Sequence, residues 1–419
     1  MVEPSAENTA IAIHDLQGFR QLRKVAEMLK HLQGVGCDRD QAGNRELHFD
    51  DYVLLILLAM FNPFIDTLRT LQSVSDLEDV RTRLGIRRRI SLGSFSESCR
   101  VFDPAMLDEV IAGLWKELPA QQRPEMFREL PGRITLVDGT VIRTLRTVTE
   151  AMWLKGKAGW RLHLQFDVDH HVPSCLDITT PKNTGTSDEK YVLRKHLEAG
   201  HTYVMDRWFA QFLLFNDIHK ANSHYVCRVR DNSVYTVVED RPLTPAAQAA
   251  GVLSDQVVLL AQDRPARKRP DHPVRLICVT CTPHDKRGKR KTKTLATSGT
   301  TGPPSDGLLR IVTDMPDVPA DIVAFLFAYR WTIEVFIRFF KQILGNRHLL
   351  STKIEGVRIQ IAAGIICCML LAILTGVRPT KQLQLLMSLY LSGLASLAEI
   401  QRAIAQEHAR QLKAAQKPV

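Results

Sequence analysis

The sequence predicts a mixed α/β protein with a helical N-terminal region, a strand-rich middle and a return to helices. Three observations carry this. Apolar residues recur at helical spacing over residues 19–32 and 52–64. From residue 133 the period falls to two, most plainly where Leu162, Leu164, Phe166 and Val168 alternate with His163, Gln165, Asp167 and Asp169. Beyond residue 318 long helical patterns return. The chain has 419 residues, 45% hydrophobic and 24% charged, which excludes a mainly disordered or collagen-like protein.

Residues 1–125 read as a helical domain. It is a candidate DNA-binding domain and carries a basic cluster, Arg81, Arg83, Arg87, Arg88 and Arg89, followed by the Ser-rich helix start SLGSFSESC. That cluster reads either as a solvated turn or as a phosphate-contacting surface, with Arg87, Arg88 and Arg89 as the candidates. Next comes a short apolar strand, 134–137, ending in Asp138-Gly139-Thr140. Strands over 161–169 and 172–179 follow, then a polar segment with Gly185, a helix over 188–197 and a strand over 201–205 ending in Asp206. A helix over 208–220 and a strand over 225–230 complete the run. The order β-β-β-α-β-α-β is that of a ribonuclease H-like core, placed here over 126–230 and 319–378. The 88 positions of 231–318 are too many for one loop. They carry β-rich pieces between Pro, Gly and basic runs, and read as an inserted β subdomain. One helix is expected from about 319 to 344, started by Pro319 and stopped by Gly345. The apolar run 359–377 reads as a buried core helix rather than a bilayer span, and 379–419 as a helical C-terminal segment.

Eight scattered cysteines, in a chain long enough to build its own core, suggest no disulfide framework. The N-terminus has neither a basic start nor a long apolar stretch, so a reduced cytoplasmic protein is expected. The net charge of +10 favours an anionic partner. Eleven basic residues against two acidic ones lie between Arg264 and Lys293, among them Lys286, Arg287, Lys289, Arg290 and Lys291. Charge this concentrated reads as phosphate contact. Cys278, Cys281 and His284, with His272 nearby, hint at zinc. However, the two cysteines differ in strand parity and no second pair follows. The acidic and imidazole-rich stretch Asp167, Asp169, His170 and His171 reads as an exposed polar sheet edge.

Chemistry is carried by three carboxylates. Asp138 and Asp206 each follow a short apolar strand, and Glu334 lies in FAYRWTIEVFIRFFK. At about 100° per residue, Arg330, Glu334 and Lys341 fall within roughly 40° of one another on one helical stripe. Ile333, Phe336, Phe340 and Leu344 form the neighbouring apolar stripe. Three converging carboxylates suit two hard divalent cations, and such a pair suits in-line attack on a phosphodiester.

LVDGT, YVMDRWF and YRWTIEVFIRFFK together resemble the DDE transposases of bacterial insertion sequences. Within these the chain is similar to the IS-four type branch with its Tyr-Arg-Glu-Lys signature, Y-x2-R-x3-E-x6-K, over roughly 130–375. The resemblance implies that Asp138, Asp206 and Glu334 form a catalytic triad holding two Mg²⁺ ions, for which Mn²⁺ can substitute. It implies DNA contacts by Arg330 and Lys341, and near them by Trp331, Trp208 and Arg207. The implied partner is double-stranded DNA, both element ends and target, held by a homodimer with no membrane involved. The implied activity is cleavage of the element ends and their joining to target DNA. A catalytically inactive DNA-binding derivative and a ribonuclease H-like nuclease without strand transfer are the alternatives. One departure stands out: the signature Tyr position is Phe327, and Tyr329 lies about 200° away around the helix.

Overall fold

The computed structural model describes residues 20–40, 43, 45–62, 65–84, 89–119, 123–143, 152–154, 157–182, 184–281, 307–345, 353–391 and 394–415. The N-terminal helices are α1 (Arg20–Leu29), α2 (Leu32–Val35), α3 (Phe49–Phe61), α4 (Leu68–Ser75), α5 (Glu78–Leu84), α6 (Leu92–Val101) and α7 (Leu107–Trp115). The strands are β1 (Arg133–Arg143), β2 (Met152–Leu154), β3 (Lys157–Asp167), β4 (Pro173–Thr179), β5 (His201–Met205), β6 (His224–Arg228), β7 (Tyr235–Asp240), β8 (Val252–Leu260), β9 (Val274–Thr280) and β10 (Leu308–Thr313). Helices α8 (Glu189–Lys195), α9 (Phe212–Lys220) and α10 (Pro245–Ala249) connect them. The chain ends in α11 (Ala320–Tyr329), α12 (Trp331–Gly345), α13 (Ile354–Thr375), α14 (Lys381–Leu391) and α15 (Leu397–Ala415).

One mixed sheet organises the molecule, with the order β2-β3-β1-β5-β6-β10-β9-β8-β7 and β4 paired to β3. Strands β1, β5 and β6 run parallel, while β3 is antiparallel to β1 and β4 antiparallel to β3. This is the ribonuclease H-like arrangement. The β-rich insertion does not form a sheet of its own. Its last strand, β10, returns to pair antiparallel with β6, Ile311 against Arg228 and Thr313 against Val226. Strands β9, β8 and β7 then extend the same sheet.

Alternation along the strands sorts two cores. Ile134, Leu136, Phe166, Val204, Val226 and Ile311 face the core shared with α11, α12, α13 and the N-terminal helices. Val137, Tyr203, Met205, Tyr225, Cys227 and Val312 face the core shared with α8 and α9. Both faces are covered, so His163 and Gln165, expected on a polar face, are buried too.

Helices α3 and α13 are buried nearly all round and pack on each other. Helix α13 is the one described helix long and apolar enough to cross a bilayer, and it lies inside the protein core. At Gly364, Phe340 and Leu344 of α12 approach so closely that a Cβ would lie 3.1–3.3 Å from them. The single helix expected over 319–344 is two helices. At Arg330 the bonding tightens to a three-residue step: the Arg330 N–H donates to Phe327 O at 3.2 Å, and the Ile333 N–H to Arg330 O at 3.1 Å.

Candidate active site

The three carboxylates are brought to one place by register and by parity. In the parallel pair β1–β5, Leu136 lies opposite Val204. Continued two residues, that register brings Asp138 level with Asp206, just past the end of β5 and near enough to act on the Asp138 charge. Asp138 does not follow a short strand, as the sequence suggested. It lies mid-way along β1, which continues to Arg143 because β3 still pairs with it where β5 has ended. Asp138 and Asp206 share the parity of Leu136 and Val204, and so face α12, which packs across β1. Glu334 is in the first turn of that helix.

Their electrostatics couple. Burial pushes the Asp138 carboxyl up to about 6 from an ordinary 3.8. The Gly139 N–H, donating to Asp138 Oδ1 at 2.8 Å, and the Arg330 guanidinium pull it back, while Asp206 and Glu334 push it further up. Arg330 Nη2 donates to Glu334 Oε1 at 2.8 Å, aiming the carboxylate one turn on. Asp206 Oδ1 accepts from the Trp208 N–H at 2.8 Å, which fixes the turn leaving β5. Three carboxylates thus gather around one guanidinium.

Two residues that sequence reasoning missed border this group. Met205 pairs with Cys227, so the next residue of β6, Arg228, lies level with Asp206. Its Nε is buried and has no hydrogen-bond partner among the described residues, and its Nη2 reaches Asp231 at 3.4 Å. On the opposite face Glu189, buried and bound to Arg161, presses against Gly139, where any Cβ would overlap Glu189 Oε1. Burial raises the Glu189 pKa, Arg161 opposes this, and Asp206 adds to it. A carboxylate at the start of a helix gives no sign in sequence of what it packs behind.

The other predicted site residues are spread around this group. Lys341 lies two turns beyond Glu334 on α12, half-buried. Trp331 is 53% exposed with the Arg338 guanidinium 5.7 Å from its ring centroid. Trp208 is 48% exposed with Lys190 Nζ at 4.5 Å from its ring. Neither ring is core. Arg207 is exposed, and Arg89 is exposed and paired with Asp76 at 3.1 Å. Arg87, Arg88, Lys286, Arg287, Lys289, Arg290 and Lys291 lie outside the described residues. Phe327, at the signature Tyr position, takes the Arg330 guanidinium over its ring at 5.9 Å. Tyr329 points elsewhere, edge-on against Phe127 at 5.4 Å.

The stretch after β3 is not an exposed edge. Asp167 and His171 are buried, and Asp169 binds Arg123 through two contacts of 2.6 and 2.7 Å. Arg123 also donates to Leu130 O and Gly132 O, at 2.7 and 2.8 Å. The stretch therefore ties the segment entering β1 to the sheet. Cys278 is buried within β9, whereas His272 precedes the strand's other end, so these two do not form a metal site.

The family model for the transposase DDE domain matches residues 129–370. A curated protein of Sinorhizobium fredii (strain NBRC 101917 / NGR234), named "Putative transposase y4zB", is 26% identical over 267 residues, covering 63% of this chain and 67% of its own. A solved structure of a piggyBac transposase synaptic complex with hairpin DNA overlays 98% of this chain and 84% of its own, with 11% identity and a TM-score of 0.44. The matched model spans more than half of the chain, from the segment entering β1 into α13, and the chain belongs to the transposases with a DDE domain.

Proposed function

We propose that Asp138, Asp206 and Glu334 are the metal-binding triad of a DNA transposase that cleaves the ends of an insertion sequence and joins them to target DNA. The observation that carries this reading is the shared position of the three carboxylates on one face of the sheet, with Asp138 raised to about 6 chiefly by burial and further by Asp206 and Glu334. A pocket with three carboxylates and one guanidinium is short of positive charge, and hard divalent cations supply it. Asp138, Asp206 and Glu334 would hold Mg²⁺, or Mn²⁺ in its place, and the bound ions would supply activation of a water or 3′-hydroxyl and charge stabilisation at the leaving oxygen.

The protein's own groups do the rest. Arg330 aims Glu334 and offers its buried Nε, which has no partner among the described residues, toward the same space. Arg228, level with Asp206, and Lys341, two turns along α12 from Glu334, are candidate phosphate contacts. Exposed Trp208 and Trp331 present ring faces for bases near the cut. The described residues that flank the strongly basic segment 282–306, Cys281 and Gly307, lie at this end of the sheet. The Cys281 N–H donates to Gly307 O at 2.8 Å, and β10 begins beyond the residue that pairs with Arg228. A homodimer working in the cytoplasm, one protomer per element end, fits this reading.

The test is cleavage of DNA carrying the element's flanking ends, with Mg²⁺ or with EDTA, by the wild type and by Glu334→Gln. The variant should retain DNA binding and lose roughly 100-fold or more of the cleavage, as expected for a metal-site residue. Equal metal-dependent cleavage by both proteins would remove Glu334 from the triad. Binding without cleavage by either would favour a regulatory DNA-binding derivative. Cleavage without strand joining would favour a simple nuclease.

A further inference from the structure

At the other end of β6, away from the aspartates, four side chains from separate parts of the chain meet. His219 comes from the last turn of α9, His224 begins β6, His272 precedes β9, and Asp314 follows β10. The Asp314 carboxylate is 1% exposed. Its Oδ1 accepts the Tyr225 N–H at 3.1 Å, which directs Oδ2 to His219 Nδ1 at 2.9 Å and His224 Nδ1 at 3.3 Å. The His272 ring stacks on the His219 ring, with centroids 4.2 Å apart and planes 15° from parallel. One ligand atom from each of His219, His272 and Asp314 lies within 4.8 Å of the others.

We infer that His219, His272 and Asp314, with His224 against the same carboxylate, form a second metal site that binds Zn²⁺. The donor set is two or three imidazoles and one carboxylate, which suits a borderline ion in tetrahedral coordination and does not suit Mg²⁺. Tetrahedral coordination at about 2.0–2.2 Å sets ligand atoms about 3.3–3.6 Å apart, so the Asp314–His219 pair, now at 2.9 Å, has to open while the wider pairs of the cluster close. His219 has room to do this, being half exposed at a helix end, and rotating it also unstacks the two rings. His272 is backed at Nδ1 by Asp271 Oδ1 at 3.1 Å, while its Nε2, the ligating nitrogen, is now held by Tyr225 Oη at 3.0 Å, a contact the ion has to displace. A carboxylate on one ring nitrogen is the usual support for an imidazole that ligates through the other. Lys220 Nζ in turn holds Asp271 at 2.8 Å.

Such an ion would be structural. It would clasp α9 and the start of β6, which belong to the ribonuclease H-like core, to the start of β9 and the end of β10, which belong to the insertion. Tyr225 and Arg228 are three residues apart on β6, so the cluster lies roughly 10 Å along the sheet from the aspartate row. Zn²⁺ there would leave the triad's own ions undisturbed.

The test is titration of Zn²⁺ into the metal-free full chain with Mg²⁺ in excess, followed by calorimetry and by the visible absorption of Co²⁺ as a tetrahedral substitute. The wild type should bind one ion. Asp138→Asn should bind it equally well, and His219→Ala should bind it roughly 100-fold more weakly. No binding by the wild type, or equal binding by His219→Ala, overturns the inference. A fold-independent check uses the wild type alone: Zn²⁺ should protect His219 from diethylpyrocarbonate, and unchanged modification also overturns it.

Discussion

The two ends of β6 offer a comparison between two buried carboxylates of opposite character. At the Arg228 end, Asp138 faces two further carboxylates and shares a single guanidinium, and its pKa is pushed up to about 6. At the His224 end, Asp314 faces imidazoles and a backbone N–H, and its pKa is pushed down. Burial raises both; at Asp314 the imidazoles and the N–H outweigh it, and at Asp138 the neighbours do not. A carboxylate surrounded by its own counter-ions is structurally complete. One buried among other carboxylates keeps a raised pKa that an added cation would lower.

The largest stability effect is expected where the compensated end is broken. Asp314→Ala removes the acceptor for the Tyr225 N–H and the partner of two imidazoles. It should cost about 3 kcal/mol, at the low end for a buried charge pair because both imidazoles are half exposed. Chemical denaturation of metal-free protein would measure it. Asp138→Asn sharpens the contrast by acting in the opposite direction. The raised pKa of Asp138 gives stability that is full below about pH 4 and is lost as pH rises through about 6. The asparagine variant should therefore be more stable than the wild type by roughly 2 kcal/mol at pH 7, with the difference vanishing near pH 4 or on adding Mg²⁺. At the His224 end the signs reverse. The lowered Asp314 pKa gives stability that is lost on acidification, and the raised pKa of His224 gives stability lost only as pH climbs past it. Denaturation across pH 4–8 would separate the two ends. The smallest effect is expected away from both. Gly364→Ala places a methyl 3.1–3.3 Å from Phe340 and Leu344, and overpacking should outweigh the gain in helix propensity by about 1 kcal/mol. Thermal unfolding would detect it.

The candidate site was largely legible in the sequence because its parts lie in short local patterns. Arg330, Glu334 and Lys341 share a helical stripe, and Asp206 closes an apolar strand that periodicity finds. Less legible was whatever depends on pairing between distant segments. Strand β1 runs past Asp138 only because β3, some twenty-five residues on, supplies a partner. Arg228 enters the site through a register set by β5. The insertion joins the core sheet because β10 finds β6 across some eighty residues. The break at Arg330 follows tertiary packing, since neither Pro nor Gly marks it. The cluster of His219, His224, His272 and Asp314 spans 95 positions and leaves no motif.

The continuity of the sheet has a geometric consequence. Neighbouring strands rotate by about 20–25° at each step, always with the same hand. Four steps separate β1 from β9 by way of β5, β6 and β10, so β9 is turned by roughly 80–100° relative to the strand bearing Asp138. At that average twist the insertion would rise as a wall beside the floor that bears the aspartates. A duplex laid across the aspartate row would meet that wall side-on, with its path bounded in two directions by one uninterrupted hydrogen-bonded surface.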